Sequence, residues 1–177
     1  MISRLNLRAL VAAGALMTLP TATAIAGSPR ATVVDAAIGS QDHQTLVAAL
    51  KAAGLVDTLK GRGPFTVFAP TDAAFAKLPS GTVDTLLQPA NRNQLRTVLT
   101  YHVVPGKVTS KALVRMIRAS GGEAKLTTVQ GGVLRARLSG DRISISDANG
   151  GTAMVTKADL LSSNGVIHVT DAVFLPK

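Results

Sequence analysis

Apolar residues return at Leu46, Ala49, Leu50 and Ala53. That spacing lies on one face of a helix. Asp42 stands where it would cap the start of this helix, and Gly54 where it would end it. Leu55 to Leu59 continues as a short turn, stopped by Gly61-Arg62-Gly63-Pro64. The pattern then changes. Phe65 to Ala69 is aromatic, β-branched or apolar, with proline on either side, and predicts a strand. Pro70 holds Ala69 extended. Thr71 offers its hydroxyl as the N-cap of a helix running through Phe75 to about Leu78. A further helix is predicted from Asn91 to His102, with Leu95, Val98, Leu99 and His102 inward and Pro105-Gly106 ending it. Thr109 can cap the next, through about Ala119. Its inner face is expected at Leu113, Met116 and Ile117, with Lys111, Arg115 and Arg118 along another face.

From Ala124 the period shortens to two. Leu134, Ala136 and Leu138 alternate with Arg135 and Arg137, and Ile143 and Ile145 alternate with Arg142, Ser144 and Ser146. Turn signals stand between them at Gly131-Gly132, Ser139-Gly140-Asp141 and Asn149-Gly150-Gly151. These read as half-exposed strands of an antiparallel sheet. Val166 to Leu175 is apolar on both faces apart from His168, Thr170 and Asp171, so it is expected to be central and buried. The order is helices first and strands late, an α+β chain without repeats or a second domain.

The N-terminus adds an export signal to this picture. Arg4 and Arg8 precede an apolar stretch from Ala9 to Leu19, and small residues follow at Ala22, Ala24 and Ala26. The stretch is shorter than the about 20 residues that span a bilayer. Residues 1–26 are expected to be a cleaved signal peptide, cut after Ala24 or Ala26, then a short leader over 27–31 and one domain over 32–176. The protein is expected to be secreted, in the periplasm or outside the cell, with no transmembrane segment in the mature chain. With no Cys, it has neither disulfides nor a lipid-anchoring thiol.

Charge then narrows the partners. The formal net charge is +9; the first 26 residues hold two of the 19 basic side chains, which leaves 17 against 10 acids. A basic mature surface suits acidic polysaccharide, lipid headgroups or acidic proteins, and otherwise serves solubility. With four Phe, one Tyr and no Trp, platforms for stacking bases are few, and nucleic acid is not an expected partner.

Candidate catalytic chemistry is sparse. His43, His102 and His168 are far apart, without a paired-histidine spacing for a metal. No G-x-S-x-G elbow, P-loop or dinucleotide fingerprint occurs. One Glu and nine Asp, several at predicted caps or turns, nominate no carboxylate pair of the glycosidase kind. No enzyme, cofactor or metal is expected. His102 reads as a core histidine and His168 as a structural one. Tyr101 stands beside the inner helix face, either packed or with its hydroxyl at a partner. Lys111, Arg115 and Arg118 form either a solvated stripe or an anion-binding one, which Arg135, Arg137 and Arg142 would extend if the sheet's exposed face lay nearby.

Three segments carry a resemblance: Phe65-Thr66-Val67-Phe68-Ala69-Pro70-Thr71-Asp72-Ala73-Ala74-Phe75, Tyr101-His102-Val103-Val104-Pro105-Gly106, and Asn164-Gly165-Val166-Ile167-His168-Val169-Thr170-Asp171-Ala172-Val173-Phe174-Leu175-Pro176. In this order and separation they resemble the fasciclin-like domain of secreted adhesion proteins, over about Thr32 to Pro176. The resemblance implies a wedge-shaped β-sandwich with a helical bundle packed on one edge, and the lone-domain format of secreted bacterial members. In animal relatives, adhesion to integrins is ascribed to a Tyr-His pair and an Asp-Ile pair. The matching positions here are Tyr101-His102 and Asp159-Leu160, with Leu in place of Ile. The implied function is a monomeric adhesion module that binds a cell-surface or matrix protein, or an anionic glycan, without turnover. Its candidate contacts are Tyr101, His102, Asp159, Leu160, Lys111, Arg115 and Arg118. A carrier of a small apolar ligand is the alternative, and a cell-wall hydrolase a more distant one.

Overall fold

The computed structural model describes residues 31–177; the expected signal peptide and nearly all of the leader lie outside the described residues. Five helices and one strand come first: α1 (Val33–Ile38), α2 (Gln44–Ala53), α3 (Val56–Lys60), β1 (Phe65–Pro70), α4 (Asp72–Ala76) and α5 (Thr82–Leu87). Then follow α6 (Arg92–Tyr101), β2 (Val103–Pro105) and α7 (Ser110–Ala119). The chain finishes with β3 (Glu123–Thr127), β4 (Val133–Ser139), β5 (Arg142–Ser146), β6 (Thr152–Ser162) and β7 (Gly165–Thr170). The strands form one mixed sheet in the order β2-β1-β7-β6-β5-β4-β3. The α+β, helix-first reading holds, and the sheet curls into a wedge with the helices packed against it.

β1 pairs with β7 in parallel, Phe65 opposite Gly165 through Pro70 opposite Thr170, while β3 to β6 meander antiparallel. The parallel pair explains why both strands are apolar on both faces. One face of this half of the sheet, Val67, Ala69, Val103 and Ile167, packs on Leu46, Leu50, Leu95 and Leu99 of the helices. The opposite face contributes Phe68 and Val104 to a second core with Leu113 and Ile117 of α7, Leu134 and Ala136 of β4, and Phe174. A strand between two cores buries every residue, which a run without alternation already encodes.

Local capping follows the residue types. Thr71 accepts a hydrogen bond from the Ala74 amide and Thr109 one from the Ala112 amide, as expected of N-caps. Gly54 ends α2 in the left-handed conformation, φ 67°. Asp42 does not cap α2. The carboxylate of Asp72 does so from across the fold, accepting from the amides of Gln44 at 3.2 Å and Thr45 at 2.7 Å. Thus Thr71-Asp72 caps two helices at once, one with each side chain.

Three further boundaries differ from the sequence pattern. The helix expected through His102 ends at Tyr101, and Val103–Pro105 joins the sheet as β2, as two adjacent β-branched residues favour. Met116 is not inward; it is 37% exposed, and Val114 packs on the core instead. β7 ends at Thr170, and the tail leaves the sheet because other groups hold it. Asp171 accepts from the Met154 amide, His102 from the Phe174 amide and Asp147 from the Leu175 amide.

Candidate functional site

The two predicted contact pairs lie in different surroundings. Tyr101 is 1% exposed and His102 2%. The Tyr101 hydroxyl donates to the Val133 carbonyl and accepts from the Ala148 amide, each at 3.1 Å. His102 donates from Nδ1 to the Val98 carbonyl at 2.8 Å and accepts at Nε2 from the Phe174 amide at 3.0 Å. Those two bonds fix one neutral tautomer. Burial drives the His102 pKa down to about 4, against the pull of the Val98 bond and of Asp147. Both side chains therefore face inward in the folded chain, with their polar atoms already bonded, and neither ring is presented to a partner.

His168 is fully buried as well. It donates from Nε2 to the Val108 carbonyl at 2.8 Å, and Nδ1 faces the Asp159 amide at 3.4 Å. Its ring stacks on Phe68, 5.6 Å between centroids, and Phe68 meets Phe174 edge-on at 6.1 Å. Phe174 in turn lies 5.1 Å from His102. The two histidines thus sit at the ends of one aromatic row through the second core.

Asp159, by contrast, is at the surface. It lies in β6 where the register with β7 slips between Lys157 and Leu160, and it is the one described non-glycine residue with positive φ, 59°. An Asp tolerates that region better than most residues because of its short polar side chain. One carboxylate oxygen accepts from the Ser110 amide at 2.7 Å, and the other is hydrogen-bonded by the Ser110 hydroxyl. Partial burial works to raise the Asp159 pKa, but the Ser110 bonds, His168 and Lys111 outweigh it and hold the group below its ordinary value. The β6 bulge is thereby clamped to the first turn of α7, where a carboxylate also suits the helix dipole.

That clamp brings together three of the predicted elements. Leu160 follows Asp159 and is 42% exposed; Leu161, which the sequence reading passed over, is 65% exposed. Lys111 acts on Asp159 from the start of α7. Arg115 and Arg118 are exposed further along the same helix. At about 100° per residue the three cations fall within an arc of roughly 60°, opposite Leu113 and Ile117. Among the described residues none of the three has a carboxylate within salt-bridge distance. Arg135 and Arg137 do not extend the stripe: they leave β4 on the face away from α7 and pair with Glu123. Arg142 does border α7, lining a cavity with Ser110 and Val114.

Asn164 has a role that local sequence does not mark. Its Oδ1 accepts from the Val33 amide at 2.9 Å, and its Nδ2 donates to the carbonyls of Leu59 at 2.7 Å and Gly61 at 3.0 Å. Its backbone carbonyl takes the Phe65 amide at 2.9 Å. One turn residue thus ties α1, α3 and β1 to the start of β7; an Asn-Gly turn was the available signal, though not for what it reaches.

The Fasciclin domain model matches residues 41–176. Protein sll1483 of Synechocystis sp. is 46% identical over 145 residues, covering 82% of this chain and 73% of that protein. The pig transforming growth factor-beta-induced protein ig-h3 is 35% identical over 152 residues, 84% of this chain but 20% of its own length. Among solved structures, a FAS1 domain pair from the insect cell adhesion molecule Fasciclin I superposes with a TM-score of 0.73 at 25% identity, over 84% of this chain and 52% of that one.

Proposed function

Because this chain belongs to the fasciclin domain family, we propose that it is an exported adhesion module. It binds a cell-surface or matrix protein, or an anionic glycan, without catalysis. The observation that carries the reading is the surface mounted on the Asp159–Ser110 clamp. There, exposed Leu160 and Leu161 follow Asp159 on β6, Lys111 stands close enough to act on Asp159, and Arg115 and Arg118 continue the cationic stripe along α7. An interface of this kind combines an apolar anchor with a charged rim that speeds encounter with an acidic partner. The match to a cell adhesion molecule supports the direction of the reading.

The test is binding of the purified protein to cells and to immobilised matrix and acidic polymer, at low and physiological salt. Arg115→Glu with Arg118→Glu is expected to leave folding intact and to weaken binding, most at low salt where screening is least. Leu160→Ser with Leu161→Ser is expected to weaken it independently of salt. Binding that neither pair of changes alters would overturn this choice of surface, and the absence of any surface binding would overturn the adhesion reading itself.

A further inference from the structure

A second concave site contains none of the contact residues expected from the sequence. It is a cavity of about 480 Å³ between the C-terminal end of α3, the Gly61–Pro64 turn, Lys107 and the β6–β7 turn. That size falls within the roughly 300–1,000 Å³ of small-ligand sites. Lys60, Arg62 and Lys107 all line it. Lys60 is partnered by Asp35 at 3.1 Å. Arg62 and Lys107 have no carboxylate within salt-bridge distance among the described residues.

The hydrogen-bonding groups of the wall are mostly committed. Thr32 and Asp35 bond each other, Ser163 donates to the Ala31 carbonyl, and Asn164 is held by Val33, Leu59 and Gly61. The Ser162 hydroxyl is different: it is buried and has no hydrogen-bond partner among the described residues. A buried hydroxyl without a partner is costly, and a ligand oxygen would satisfy it. The floor is bare backbone. A Cβ on Gly63 would stand 1.9 Å from the Asn164 carbonyl oxygen, and one on Gly165 would stand 2.1 Å from that of Phe65. No side chain fits at either position, because two stretches of backbone meet there at hydrogen-bonding distance.

We propose that this cavity binds one acidic sugar unit of an anionic glycan. Its sulfate or carboxylate lies between Arg62 and Lys107, and the Ser162 hydroxyl, enclosed in the wall of the free chain, turns to meet a ring or ester oxygen. The cations border a concavity rather than a flat face, which favours an inserted group over a planar membrane surface. The proposal rests on the adhesion reading but on a site that no residue of α7 lines, and the two are separable.

The experiment is calorimetric titration of the full exported chain with a heparin hexasaccharide. Inorganic sulfate and phosphatidylglycerol vesicles serve as comparison probes. Arg62→Glu with Lys107→Glu is expected to weaken hexasaccharide binding by about tenfold or more, whereas Arg115→Glu with Arg118→Glu, the same change in net charge, costs less than about threefold. Ser162→Val changes no charge and fills the wall; it is expected to weaken binding at least about threefold with the unfolding temperature retained. Lys107→Ser, at an exposed position, repeats the test should the valine disturb β6. Equal losses from the two charge reversals would reduce the effect to net charge and overturn the proposal. So would unchanged affinity in both Ser162→Val and Lys107→Ser, sulfate binding as tight as hexasaccharide, or binding to vesicles alone. Hexasaccharide affinity that persists through the pocket changes would overturn this site and leave the α7 reading standing.

Discussion

The buried His102 makes a quantitative prediction about acid. In the unfolded chain a histidine titrates near 6.5, and in the folded chain His102 is held at about 4. Between those values the unfolded state binds one more proton than the folded state, so stability rises with pH across that window and is lost as pH falls through it. Below about 4 the ring is charged in both states and its contribution to the slope ends. At about 1.4 kcal/mol per pH unit, the 2.5-unit gap amounts to a loss of about 3 kcal/mol between pH 7 and pH 4. That is a large share of the roughly 5–15 kcal/mol of a typical domain. His43 and His168 are also shifted down by burial and steepen the same window. Asp35, Asp72 and Asp159, whose pKa values are lowered, act below about 4 and in the same sense: their contribution is present above the unfolded carboxylate value and lost beneath it. The assay is urea unfolding at half-unit steps from pH 7 to pH 4, on the native chain and on His102→Met. The variant starts lower at pH 7, by about 2–4 kcal/mol, because the Val98 carbonyl and Phe174 amide lose their partner. Its slope should be shallower by up to one proton. A parallel slope in the two proteins, or an imidazole resonance of His102 that titrates above pH 6 by NMR, would refute the burial argument.

The remaining predictions concern single side chains. Asn164→Ala removes the partner of one amide and two carbonyls and should cost about 2–4 kcal/mol, read from the urea midpoint at constant m; a cost under about 1 kcal/mol would mean that the turn holds without it. Tyr101→Phe should cost about 1–2 kcal/mol by stripping the Ala148 amide and Val133 carbonyl of a partner, with surface binding unchanged; lost binding at unchanged stability would place the hydroxyl at a partner. Asp159→Ala should cost more than Asp159→Gly by about 1 kcal/mol, since both lose the Ser110 clamp but only alanine bears the left-handed backbone badly; equal melting temperatures would remove the constraint on φ.

What the sequence showed depended on the distance over which each cause acts. Thr71, Thr109 and Gly54 cap helices through atoms three or four residues away, so the residue type and its position suffice. Asp72 caps α2 from 27 and 28 residues later, and nothing local marks it. Met116 misled because three apolar residues fit one face only if that face is centred on Leu113 and Ile117 from the left; Val114 shows that the buried stripe is centred to the other side. α1 and α5 are too short, at six residues each, to display a period. The parallel pairing of β1 with β7 was hidden because a strand buried on both faces carries no register signal. The cavity at Arg62 and Lys107 escaped notice because Gly61-Arg62-Gly63-Pro64 reads as a stop, and its counterpart wall is a hundred residues away.

The placement of the three family-marking segments bears on how function can be read from relatives. β1, β2 and β7 come from those segments and pair with one another, and the tail after β7 is held by His102 from the second. Most of their side chains are buried: Phe68, Tyr101, His102, Val166, His168 and Phe174 all lie in or against the second core. The segments therefore identify the frame, since interior packing between three distant stretches demands particular shapes and hydrogen-bonding groups at each. The exposed candidates lie elsewhere, on α7, at the β6 bulge and around Lys60, Arg62 and Lys107. A partner touches what is exposed, so a chain can match the frame of an adhesion molecule closely while presenting different chemistry at its surface. For this chain the partner is to be sought from the cations on α7, the two leucines of β6 and the separate cavity at Arg62 and Lys107. The buried Tyr101-His102 pair contributes by holding α6, β4 and the C-terminal tail in register beneath those surfaces.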